Sequence, residues 1–269
     1  MTPRYCCASA FSLVELSIVL VIVGLIVGGV LVGQDMIRNA GLRSEISDLE
    51  KYNAAATTFN AKYGGLPGDL ALSRAVQYQF SSTGDTNATG MVGYRDGNGV
   101  IEGGAAGATN LVGETALFWQ DLSKAGFIGG SYIAAGTTNT TGANVTHATI
   151  NQYLPKTRFR ENVSHYLYSD TGRNYYYLAA FTTDASAVMT PTGAVSPLEG
   201  KGIDEKMDDG SPSSGIVVSM SNFTTLDPGA AAASTVCTTN TTPQVYNVIS
   251  GANGAPDNPV CQLRIRSSF

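Results

Sequence analysis

Charge is scarce in this chain. Only 14% of its 269 residues are Asp, Glu, Lys or Arg, against about a quarter in an ordinary globular domain, and none lies between Glu15 and Asp35. Sixteen Lys and Arg residues are outnumbered by 21 acids, for a net charge of −5. That balance argues against a nucleic-acid groove, which needs clustered cations. Histidine is rarer still: His147 sits in a Thr/Asn-rich stretch and His165 in a strand-like run. The chain has no Gly-x-Ser-x-Gly elbow, no His-Glu-x-x-His helix and no phosphate-cradling Gly-Lys-Ser/Thr loop, so neither catalysis nor an organic cofactor is expected. Proline is missing from Arg4 to Leu66, which leaves nothing to break a helix there.

What fills the proline-free stretch is apolar. After Glu15, residues Leu16 to Val32 carry no charge, and at the helical rise the run from Phe11 spans about 33 Å, enough to cross a bilayer. Residues 1–10 are too short to hold an apolar signal region of their own. Gly24, Gly28, Gly29 and Gly33 recur at spacings of four, either as small-residue faces for close helix approach or as the glycines common in membrane helices. One ionisable group at the head of such a run is costly in hydrocarbon and marks a function.

Beyond Asp35 the pattern turns amphipathic. Leu42, Ile46, Leu49, Tyr52, Ala56, Phe59 and Tyr63 form a stripe at spacings of three and four, with Arg43, Glu45, Asp48, Lys51 and Lys62 mostly off it. Gly64-Gly65-Leu66-Pro67-Gly68 then stops the helix, so Phe11 to Tyr63 reads as one helix about 80 Å long. A second helix is expected over Glu114–Ala125 with Trp119 on its margin and Gly126 as its cap. Val163–Ser169 and Asn174–Thr182 read as a β-hairpin turning at Asp170–Arg173, and Gly215–Met220, Gln244–Ile249 and Val260–Arg266 as further strands. Tyr175, Tyr176 and Tyr177 place aromatics on both sheet faces, one for the long helix and one for edge cover or adhesion. The expected class is α+β. A hydrophobic half-helix, residues 11–34, precedes a globular portion, residues 35–269, in which the amphipathic half packs on an antiparallel sheet.

Two acidic stretches invite a metal reading. Asp96, Asn98, the Val100 carbonyl and Glu102 alternate so that they can present hard oxygens to Ca²⁺, or form the tight turns for which Asp-Gly and Asn-Gly are suited. Asp204, Asp208 and Asp209 either complete such a site or cap and turn a short helix. Cys6 and Cys7 lie near the start; Cys237 and Cys261, 24 positions apart, are expected to pair. Their disulfide closes a loop worth roughly 3 kcal/mol.

Ala10-Phe11-Ser12-Leu13-Val14-Glu15, with Arg4 before it and the apolar run after it, resembles the prepilin segment of type IV pilins and type II secretion pseudopilins. The resemblance covers only about the first 25 residues. It implies a pilin-like fold, a leader (residues 1–10) cut after Ala10 by a prepilin peptidase, and a methylated amine on Phe11. Glu15 would then pair with the Phe11 amine of a neighbouring subunit. The precursor would sit once through a bacterial inner membrane and leave it for a periplasmic or cell-surface filament built with other such subunits. The family places Gly where this chain has Ala10. Type IVa pilins usually carry a proline late in the segment, and its absence here points towards a pseudopilin-like or atypical subunit. Tyr63-Gly64-Gly65-Leu66-Pro67-Gly68-Asp69 is similar to a turn found in members of the same group. A membrane-anchored periplasmic binding domain, or a minor pilin with an adhesive or DNA-uptake role, is the alternative.

Overall fold

The computed structural model describes residues 12–81, 95–103, 111, 113–133, 149–160, 162–182, 190–220, 237–239, 243–248 and 259–269. Helix α1, Leu13–Tyr63, runs unbroken for 51 residues. It ends where Gly64 adopts φ +77° and donates its N–H to the Asn60 carbonyl at 2.7 Å, ahead of Pro67. The chain divides into two compact units, Met1–Gly41 and Leu42–Phe269.

In the first unit every described residue through Val32 is exposed. This part of α1 is long and apolar enough to cross a membrane. Within the second unit α1 buries Leu42, Leu49, Ala56 and Phe59 and half-buries Ile46, Tyr52 and Tyr63, the face its periodicity predicts. Two charges expected off that face are buried on it. Glu45 and Asp48 lie inside because His165 and Arg158 meet them there.

A short helix α2, Leu72–Gln77, follows. Helix α3, Gly113–Lys124, buries almost its whole length, and Trp119 is fully enclosed in the core. Its end matches expectation, with Gly126 at φ +75° and the Phe127 N–H returning to the Leu122 carbonyl.

Strands β1, Val163–Asp170, and β2, Arg173–Thr182, pair in antiparallel register through a two-residue turn in which Thr171 and Gly172 both have positive φ. β3, Thr190–Thr192, pairs with the far end of β2. Helix α4, Pro197–Met207, follows, and Ser196 and Glu199 exchange hydrogen bonds in a capping box at its start. β4, Val217–Met220, and β5, Gln262–Arg266, complete an antiparallel sheet of order β1-β2-β5-β4. Residues 244–248 form no strand; Tyr246 makes a single bridge to Thr238.

Both faces of the sheet are covered. Tyr176 lies 6.4 Å from Tyr52 of α1, ring centre to ring centre. On the opposite face Tyr177 is buried and Arg264 lies over the Tyr175 ring at 4.6 Å, so the tyrosine triplet leaves no adhesive surface. The outer edge of β1 is also covered, through bonds to Pro155, Thr157 and Ile101; an open edge would template further pairing. Cys237 and Cys261 form a buried disulfide, Cα to Cα 5.1 Å, tying the 237–239 segment to the start of β5.

Candidate functional site

The head of α1 is the first place where the sequence locates chemistry. Ala10 and Phe11 lie outside the described residues. Glu15 stands in the first helical turn, where its carboxylate accepts the Ser12 N–H at 2.9 Å while the Ser12 hydroxyl accepts the Val14 N–H at 3.3 Å. This reciprocal bonding satisfies backbone donors the helix start leaves over, and the negative charge suits the positive end of the helix dipole. Glu15 therefore already has a partner within its own chain. The signal was the Ser12-x-x-Glu15 spacing itself.

The second place is the acidic loop. Asp96 joins Asp69 and Glu114, with one carboxylate oxygen of each within 4.8 Å of the others. Asn98 and Glu102 play other parts. The Asn98 side chain accepts the Val100 N–H and donates to Asp96, while Glu102 offers its backbone N–H to Glu114 and its carbonyl to the Glu114 N–H. Asp69 is placed by the Leu66-Pro67-Gly68-Asp69 turn. Gly68, at φ +82°, lies so close to α3 that a Cβ would meet the Glu114 carbonyl at 2.4 Å, and its N–H reaches Asp121 at 2.9 Å. Asp69 then accepts the Gly97 and Gly99 N–H groups, each at 2.7 Å.

Burial pushes the Glu114 carboxyl up to about 10, and the Asp69 charge adds to it against the Glu102 N–H. Burial likewise raises Asp69 to about 6, although the Gly99 and Gly97 N–H groups favour its charged form. The pair shares a proton at neutral pH, with Glu114 donating to Asp69. The same oxygens are of the type a hard cation takes in exchange for that proton. Next to them, Arg95 grips Asp121 with two bonds of 2.8 Å in a fully buried ion pair, which fixes where the loop begins.

Asp204, Asp208 and Asp209 form a separate group. Asp204 accepts the Tyr246 hydroxyl at 2.9 Å and the Gly210 N–H, and burial raises it to about 6. Asp208 accepts the Ile216 and Val217 N–H groups, and Asp209 accepts Ser211 and Ser214. These carboxylates hold the turn after α4 and the approach to β4.

Of the two histidines, His147 lies outside the described residues. His165 is buried against Glu45, with its other ring nitrogen 3.1 Å from the Pro155 carbonyl. Burial alone would lower its pKa; the Glu45 charge and hydrogen bond raise it above the ordinary value. The His165–Glu45 contact thereby ties α1 to β1.

One feature was not legible beforehand. A cleft of about 680 Å³ opens beside α1, between Tyr52, the Phe127–Tyr132 segment and the Pro155–Arg158 run. Comparisons with protein-family models, curated proteins and solved structures find no match to this chain.

Proposed function

We propose that this protein is a membrane-inserted subunit of a type IV pilus-like or type II secretion pseudopilus filament, with a pilin-like fold, assembled through α1. The observation that carries the reading is the contrast along one helix. Large apolar side chains from Leu13 to Val32 are at least half exposed, whereas from Leu42 onward the same helix packs into its own globular unit. In water the exposed stretch is untenable, at about 25 cal/mol per Å² of apolar surface. Lipid or the equivalent helices of other subunits must cover it. Ala10 and Phe11 would be the processing site, Glu15 the residue that sets register, and a prepilin peptidase and the inner membrane the first partners.

N-terminal mass spectrometry of the protein from its native cell tests the reading. The expected product begins at a methylated Phe11. An intact amino terminus would instead mark a membrane-anchored domain that never enters a filament.

A further inference from the structure

We propose that the cleft beside α1 binds a carboxylated sugar, the end of an acidic polysaccharide. The cleft belongs entirely to the globular unit and would work the same whether or not α1 assembles. Its volume of about 680 Å³ falls within the roughly 300–1,000 Å³ of ordinary ligand sites, and its walls combine three features suited to one chemistry.

Aromatic surface comes first. Tyr52, Phe127 and Tyr132 line the cleft half-buried, and Tyr52 is braced edge-on by Trp119 at 4.9 Å and by His165 at 5.2 Å. Rigid aromatic walls suit the C–H face of a pyranose ring. Next come donors: among the described residues neither the Tyr52 nor the Tyr132 hydroxyl has a hydrogen-bond partner, which leaves both for sugar hydroxyls. Charge completes the set. Lys51, Lys156 and Arg158 line the same cleft against a single acid, Asp48, in a chain whose net charge is −5. Asp48 is already bonded to Lys51 at 2.9 Å and to Arg158 at 2.8 Å. It therefore orients those two cations, and Lys156 is exposed with no acidic partner among the described residues. A carboxylate is the complement of this cationic rim.

The walls are also preorganised. The Pro155–Arg158 run is held to β1 by the His165 N–H to Pro155 and the Thr157 N–H to Val163, and the Arg158 N–H reaches Glu45 on α1 at 3.3 Å. On the other side the Tyr132 N–H binds the Ser123 hydroxyl, and the Ile133 N–H binds the Gln152 carbonyl. Fixed walls lose little entropy when a ligand enters.

The test is titration calorimetry on the full-length chain in detergent with a trimer of galacturonate, the neutral galactose trimer and a polyglutamate peptide. The expected result is saturable binding of the galacturonate trimer alone. Lys156→Gln should weaken it about fivefold, the size of an exposed charge contact, with unchanged melting temperature, and Tyr132→Ala about tenfold, the size of an aromatic contact, in protein that remains folded at the temperature of the titration. No saturable binding of the galacturonate trimer would overturn the proposal, as would equal affinity for the neutral trimer or the peptide. Wild-type affinity in both variants would do the same.

Discussion

Glu114 is buried, protonated and hydrogen-bonded to Asp69, and its folded-state value of about 10 lies far above that of a free carboxyl. The folded chain thus binds a proton there that the unfolded chain releases, and stability falls as pH rises from about 4.5 towards 10. Glu114→Gln keeps a donor for Asp69 and an acceptor for the Glu102 N–H without the titration. It should raise stability by about 2 kcal/mol at pH 7, with a gain that grows with pH, read by urea unfolding across the pH range. Chelator or added calcium during the same titrations shows whether a cation replaces the proton. His165 works in the same direction. Its raised value means that the Glu45 pair contributes fully below the ordinary histidine value, about 6.5, and is lost as pH climbs through the folded one. Replacing His165 by Leu strands Glu45 inside and should cost about 3 kcal/mol, whereas adding Glu45→Gln should recover part of the loss. Asp48 has the opposite sign. Burial opposes its charge, but bonds from Lys51 and Arg158 hold it below the usual carboxylate range, so its contribution fades only in acid.

At the scale of elements, α1 carries two functions in one rod. Its second half is held by packing and by the buried Glu45 and Asp48 contacts, whereas the described residues of its first half through Val32 are all exposed and its start is capped by Ser12 and Glu15. Glu15→Val removes the carboxylate from that cap, which should cost about 1 kcal/mol of local helix stability, while making the run still more apolar. Membrane insertion should therefore persist while incorporation into filaments fails, as read by membrane fractionation and by isolation of filaments. Normal incorporation of the variant would show that Glu15 serves the cap alone. The hairpin β1–β2 was legible because its alternation and two-residue turn are local. Strand order was not, since β5 inserts between β2 and β4 from the far end of the chain. Helix α4 announces itself through Ser196, Pro197 and Glu199, a capping box with proline at the first helical position.

For the whole molecule, the Cys237–Cys261 bond closes a loop of 24 positions immediately before the last strand. Cys237→Ser with Cys261→Ser should lower stability by roughly 3 kcal/mol, measured as a shift in the urea midpoint, and reductant should do nothing further to that variant. What the order of residues determined by itself is whatever depends on near neighbours: an uninterrupted helix with an apolar first half, its stop at Gly64, the capping acid near its start, the hairpin, and a cysteine pair with no rival among the later residues. Only the tertiary structure decided which charges are buried and what they meet. Glu45 finds His165 across 120 positions and Asp48 finds Arg158 across 110, separations at which periodicity says nothing. The same long-range packing gathered Asp69, Asp96 and Glu114 in place of the alternating Asp96, Asn98 and Glu102. It also brought Tyr52, Tyr132 and Lys156 to the walls of one cleft. A buried charge is stable only beside a partner the fold supplies, and for Glu45 that partner, His165, lies on a distant element.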